Sequence, residues 1–304
     1  MSRIVFWSPL HGQGQTGNLH IISLIMSLLN KKKILMMQTH FAMNNLEEPL
    51  IGKSMNGVNV EESLFQDIGI DAAVMYSNMN WLTGNILESC CITFPDTSLL
   101  LLPGTETRNY ETFDRDICSN LLRMIQQAEN HVDVIMIDTN SGHDELSFKL
   151  MSTADVIIIN LTQRKYAINK LFNEYKEVLD KYKNVFFLFG NYDKNSGYNI
   201  VNCRRKYHHY INNHNSGVIP YCSKYLDAQN QCSILDMVRE GLQSRKVSGT
   251  YKTKGMIRRI FMADSGYLKE ADYFFNQAYC STMKIMNMIN AADKKRMERS
   301  RICS

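Results

Sequence analysis

Residues 8–20 read SPLHGQGQTGNLH, directly after an apolar run, RIVFW at 3–7, that has the form of a buried strand. A phosphate-binding loop, G-x-x-x-x-G-K-[ST], frees its backbone with glycines, meets phosphates with a lysine and holds magnesium through a hydroxyl. Gly12, Gly14, Thr16 and Gly17 suit such a loop, but Gln15 stands where the lysine belongs. A strand ending at Trp7-Ser8, a glycine turn and a helix starting near Thr16 would gather backbone N–H groups around a concavity. The positive end of the helix lies behind them. Such a cradle binds an anion without any side chain. The competing reading is a tight strand-to-helix turn that uses glycine only for its positive φ. The loop's position after the first strand favours phosphate.

Working outward, further apolar runs follow: KKILMM (32–37), SLLLLP (98–103), VDVIMID (132–138), ADVIIIN (154–160), NVFFLFG (184–190) and SGVIP (216–220). They are nearly continuous hydrophobics, as expected for strands covered on both faces of a parallel sheet. Helical patterns separate them over 17–30, 113–129, 144–152, 164–182, 201–212 and 233–243. This alternation predicts an α/β fold, a doubly wound, mostly parallel sheet flanked by helices, with ligands outside the carboxyl ends of its strands. Pro9, Pro103 and Pro220 fall at or just past three strand ends. Residues 40–97 read as a helical insertion between the second and third strands. From 244 the pattern changes to a basic linker, then a helix over 266–290 and a charged tail. The expected division is therefore a domain over 1–243 and a C-terminal extension over 244–304.

Composition sets outer limits. The 304 residues are 44% hydrophobic and 21% charged, an ordinary globular balance, and the net charge of +4 does not by itself demand a nucleic-acid partner. Eight cysteines without a CxxC pair suit free thiols in a reducing compartment. The first residues lack the apolar region of a secretory signal, and no run approaches the ~18 apolar residues of a membrane span. The expected location is the cytoplasm, with the nucleoid or membrane periphery as the alternatives.

A second stretch supports the first. VIMIDTNSG is a buried strand that ends in Asp138 and is followed by Gly142. An acid at a strand tip beside a phosphate loop partners magnesium-bound water, and Thr16 would supply the hydroxyl ligand. The competing reading is an aspartate that caps the next turn.

The order of WSPLHGQGQTGNL, KKILMMQTH, LLPGT, VIMIDTNSG, ADVIIINLTQ, LFGNYD and GVIPYCSKYLDAQNQ resembles the ParA/MinD branch of deviant-Walker ATPases and its TadZ/CpaE-type relatives, over residues 1–243. The resemblance implies a phosphate loop of the form K-G-G-x-G-K-T-T. Laid over this chain, that places Leu10 at the signature lysine, His11 at the first glycine and Gln15 at the second lysine. Gly12, Gly14 and Thr16 match, and Gln13 and Gly17 complete the loop. The family's D-x-D falls on Gln38-Thr39-His40, without either aspartate. Asp138 takes the Walker B place and is the one candidate catalytic residue. Asn191 and Pro220 take places that touch adenine.

These departures fall on the reacting centre. The resemblance implies ATP or ADP with Mg2+ held by Thr16 and Asp138, binding without effective turnover, and a homodimer that positions a cargo or partner protein. A slow partition-type ATPase and a nucleotide-free scaffold on DNA or membrane are the alternatives. If Gln15 offered its amide to a phosphate in place of an ammonium, the loss would be ~1.5–3 kcal/mol, roughly 10- to 100-fold in affinity.

Three further signals have plain structural readings beside functional ones. NCRRKYHHYINNH (202–214) and SRKVSGTYKTKGMIRR (244–259) would meet nucleic-acid phosphates or form solvated faces. Cys203, His208, His209 and His214 lack metal-ligand spacing. The helix over 266–290 carries Leu268, Ala271, Phe274, Ala278, Ile285 and Ile289. Such a stripe packs on its own domain or a partner, or lies on a membrane.

Overall fold

The structure is a computed structural model that describes residues 1–30, 32–41, 46–51, 68–107, 109–250 and 266–302. Eight strands form one sheet: β1 (Ser2–Trp7), β2 (Ile34–Gln38), β3 (Ile92–Thr93), β4 (Leu99–Leu102), β5 (Val134–Asp138), β6 (Val156–Leu161), β7 (Val185–Tyr192) and β8 (Ser216–Pro220). Their order is β3-β4-β2-β5-β1-β6-β7-β8. All pairings are parallel except β3 with β4. Seven strands coincide with the apolar runs. The two-residue β3 lies inside the stretch read as a helical insertion.

The chain winds both ways from the centre. β1 lies between β5 and β6, so the loop after it opens where the connections diverge, the usual ligand crevice of an open α/β sheet. Register then aligns the strand tips: Phe6 pairs with Asp138, and Asp138 pairs with Gln38.

Strand periodicity splits the core in two. Val5 and Trp7 face one layer, made by α3 (Ile70–Asn78), α4 (Gly84–Ser89), α6 (Ser119–Ala128), α7 (Glu145–Ser152), α8 (Lys165–Glu174), α9 (Lys176–Lys181) and α10 (Ile200–Lys206). α5 (Tyr110–Thr112) leads through a π-helical stretch (Phe113–Cys118) into α6. Ile4 and Phe6 face the other layer, made by α1 (Gln15–Leu29), α2 (Glu48–Ile51), α11 (Ser223–Asn230), α12 (Ile234–Thr250) and α13 (Gly266–Ile302).

Several helical boundaries differ from expectation, and the helix expected over 164–182 is broken at Tyr175 into α8 and α9. α10 stops at Lys206, where Tyr207 turns back to stack on Phe172 with centroids 4.0 Å apart. α12 continues through Thr250, across the residue-243 boundary read from the sequence. α13 does not end near 290. Its charged continuation folds onto the start of the sheet, where Asp293 accepts from the Ser2 hydroxyl at 2.6 Å and Arg296 donates to the Met1 carbonyl at 2.6 Å. The remainder of the basic linker, 251–265, lies outside the described residues.

The apolar stripe of α13 is packed rather than displayed. Phe274, Ala278 and Ile285 are wholly buried among α1, α11 and α12. Freeing that face for a membrane would re-expose them at about 1.5–3 kcal/mol for each large side chain. α13 also covers the edge strand β8. The Ser281 hydroxyl accepts from Val218 N–H at 3.0 Å and donates to the Val218 carbonyl at 3.0 Å. Among the described residues, no helix is long and apolar enough to cross a membrane.

Candidate nucleotide site

The turn from β1 to α1 has the backbone that its glycines require. Gly12 and Gly14 adopt φ of 74° and 73°, the left-handed region that side chains rarely enter. Gly14 caps α1 with no side-chain hydrogen bond, and the first turn carries no acidic residue. A Cβ on Gly12 would meet nothing within 4 Å, so the concavity is open on that side. The helix N-terminus therefore retains its partial positive charge for an incoming anion.

The loop is pinned from below. Gln13 is buried, and its Oε1 accepts from the Thr162 N–H and hydroxyl at 2.9 and 2.8 Å, fastening the loop to the end of β6. Asn18 donates to Asn160 Oδ1 at 2.9 Å. β7 approaches so closely that a Cβ on Gly190 would lie 2.8 Å from Asn18 Nδ2. His11 is exposed, and Gly17 packs under Tyr225, whose hydroxyl donates to the Gly17 carbonyl at 2.8 Å.

Gln15 does not face the concavity. Its Nε2 donates to Asp138 Oδ1 and the Thr139 carbonyl, both at 2.6 Å, and approaches the Phe6 carbonyl at 3.0 Å. Its Oε1 accepts from the Ser8 hydroxyl at 2.8 Å. This corrects the expectation of a neutral donor offered to a phosphate: the amide is fully engaged by the tips of β1 and β5. A phosphate would lose the charged bond outright.

Thr16 donates to Asp138 Oδ2 at 2.6 Å, so a hydroxyl and a carboxylate are adjacent at the cradle's edge. That donor set fits a magnesium ion bound through the hydroxyl, with the acid behind its water. Asp138 is wholly buried. Burial pushes its pKa up, against the lowering influence of His40 and of its bonds from Thr16 and Gln15. Gly142, at φ 78°, donates its N–H to the Ser8 carbonyl at 2.8 Å and bounds the same turn.

The end of β2 supplies what sequence reasoning missed. Buried Glu47 brings a carboxylate to the tip of β2, beside Gln38. It accepts from Gln38 Nε2 at 3.3 Å and from the Gly104 N–H. Burial raises its pKa, and the Gly104 hydrogen bond works against that. His40 Nε2 contacts the Thr139 carbonyl at 3.1 Å, while its Nδ1 has no partner. Ser8 and Asn160 were also missed. Asn160, a polar residue within the apolar run VIIINL, was the available signal.

Asn191 sits at φ 47° with its Nδ2 3.7 Å from where a Gly14 Cβ would be, which places it over the loop. Pro220 ends β8 and pairs with Tyr192, the next residue. Leu10 is half-buried. The histidines at 208, 209 and 214 are exposed, whereas Cys203 is buried, and among the described residues no cluster is arranged to hold a metal by His, Cys and acids alone.

No family model matches the sequence, and no curated protein is similar to it at a significant level. Solved structures are similar. A chain of the MinC:MinD cell division protein complex from Aquifex aeolicus is 16% identical, with 94% of this chain and 96% of that one covered and a TM-score of 0.63. A ParA family ATPase from Chlorobium tepidum is 14% identical over 90% and 98%, at 0.63. The septum site-determining protein MinD from Pyrococcus horikoshii, complexed with Mg-ADP, is 16% identical over 92% and 95%, at 0.60. The fold is that of the ParA/MinD-like P-loop ATPases.

Proposed function

We propose that this chain is a degenerate ParA/MinD-like nucleotide-binding protein that acts as a positioning, partition or assembly factor. It binds ATP or ADP with Mg2+ weakly and hydrolyses it little or not at all. The observation that carries this reading is the state of the loop after β1. The backbone cradle and the Thr16–Asp138 pair are intact, while the lysine position is filled by an amide turned into the core. Bound magnesium-nucleotide would supply the anionic charge and the shared metal. The chain would supply Gly12 to Gly17 for the phosphates, Thr16 and Asp138 for the metal, and Asn191 and Pro220 for the base. The structure of MinD with MinC supports recruitment of a partner protein and that of MinD with Mg-ADP supports the ligand, and in this proposal the chain does so as a homodimer.

Titration with Mg-ATP, read by heat and by melting temperature, tests this directly. With no donor from position 15 to replace the charged bond, the expected affinity is on the order of 100-fold or more below a micromolar starting point. Thr16→Ala is expected to abolish both binding and any nucleotide-dependent dimer. Absence of heat and of a melting shift in the wild type would defeat the proposal. Such a result would favour a nucleotide-free scaffold, a second reading motivated by the Gln15 amide, which is engaged by Asp138 and Thr139 instead of facing the concavity. Phosphate release that Asp138→Ala removes would favour the slow ATPase instead.

A further inference from the structure

Away from the loop after β1, a cavity of about 200 Å³ lies where α13 crosses the last strand. Tyr192, Arg204, Tyr273, Gln277, Cys280 and Lys284 line it. Two cations face one backbone position there. Arg204 Nε donates to Ser216 Oγ at 2.9 Å, and Lys284 Nζ donates to the Ser216 carbonyl at 3.0 Å. Among the ion pairs of the described residues, neither cation has a carboxylate partner. Burial lowers the pKa of both, and Arg204 lowers that of Lys284 further. A third cation, Lys194, sits over the Tyr273 ring at 5.4 Å.

Nothing in the packing of β8 requires this charge. Ser281 already satisfies Val218, and a neutral amide on α13 would satisfy the Ser216 carbonyl equally well. Two like charges held together in a half-buried cavity repel each other and forfeit hydration. Arg204 commits Nε and Nη2 to Ser216, the latter reaching its carbonyl at 3.4 Å, and keeps the Nη1 end of its five-donor fork, while the ammonium keeps two of its three donors.

We propose that this cavity binds a small soluble phosphate-type oxyanion, with Arg204 as the planar fork and Lys284 as the point charge. The pairing of fork and ammonium suits the spread negative charge of a phosphate or pyrophosphate group. The volume limits the guest, because pockets for drug-sized molecules run to roughly 300–1,000 Å³. The site is separate from the nucleotide loop and does not depend on it.

The test uses the full chain with inorganic phosphate, pyrophosphate, malonate and vesicles of anionic lipid. The expected result is a melting temperature that rises with the logarithm of phosphate or pyrophosphate concentration. It persists in Thr16→Ala and loses roughly tenfold or more in affinity in Lys284→Gln and Arg204→Gln. Without added anion, Lys284→Gln is expected to melt no lower than wild type, because it relieves a repulsion and keeps a donor for Ser216. No shift in wild type, or a shift lost only in Thr16→Ala, would overturn the site. So would a clear fall in melting temperature of anion-free Lys284→Gln, which would make the cations structural. A response to malonate or vesicles alone would overturn the assigned chemistry.

Discussion

Two glutamines flank Asp138 at positions where the resemblance expects charged residues, and their surroundings differ. Gln15, after β1, has every polar atom engaged, with its amide nitrogen 2.6 Å from both Asp138 Oδ1 and the Thr139 carbonyl. Gln38, at the tip of β2, reaches Glu47 only at 3.3 Å, and its Oε1 has no partner. Nearby, His40 and His20 each leave a buried Nδ1 unpaired. On one side of the strand tips Gln15 closes a hydrogen-bonded network. The other is left with open hydrogen-bonding capacity. The same residue type is thus fully satisfied in one place and not in the other.

Replacing Gln15 should break the closed side. Gln15→Leu leaves Asp138 Oδ1 buried without its donor, and denaturant unfolding is expected to show a loss on the order of 4 kcal/mol. A loss under 1 kcal/mol would mean that the network is incidental. Gln15→Lys should act differently, since an ammonium can pair with Asp138 or turn outward to a phosphate.

Acid should attack the open side. Burial lowers the pKa of His20 from 6.5 to about 4, with Nε2 against the Leu46 carbonyl at 2.8 Å. The unfolded chain therefore binds a proton that the folded chain refuses. Stability is full above pH 6.5, declines as pH falls below it and levels off near pH 4. The total contribution is about 3 kcal/mol. Stability curves of wild type and His20→Gln across that window measure it, and parallel curves would refute it. The smallest effect is expected at Gln38: with long contacts and an unpaired oxygen already, Gln38→Met should change stability by less than about 1 kcal/mol.

The fold was legible because its strands are uninterrupted apolar runs, a pattern that buried parallel strands require and few alternatives tolerate. β3 was not, because two residues in antiparallel pairing leave no periodicity to read. The left-handed turn after β1 was legible from its glycines, whose spacing reports backbone conformation directly. The direction of the Gln15 side chain was not, because it depends on Ser8, Asp138 and Thr139 meeting across 131 residues of chain, from position 8 to 139. Glu47 escaped for the opposite reason. Nothing in LEEPL signals burial, which rests on the Gly104 N–H, delivered from just past β4, and on Gln38 at the tip of β2. Residues 42–45 and 52–67, within the same insertion, lie outside the described residues.

The seal over β8 limits how copies of this chain can meet. An unpaired strand margin is an invitation for another sheet to add on. Here Ser281 takes both backbone valences of Val218, and Gly217 lies so close to α13 that a Cβ would stand 2.4 Å from Ser281 Oγ. At the opposite margin, among the described residues, the edge strand is the two-residue β3. Lateral growth into continuous sheets is therefore closed at β8 and poorly templated at β3.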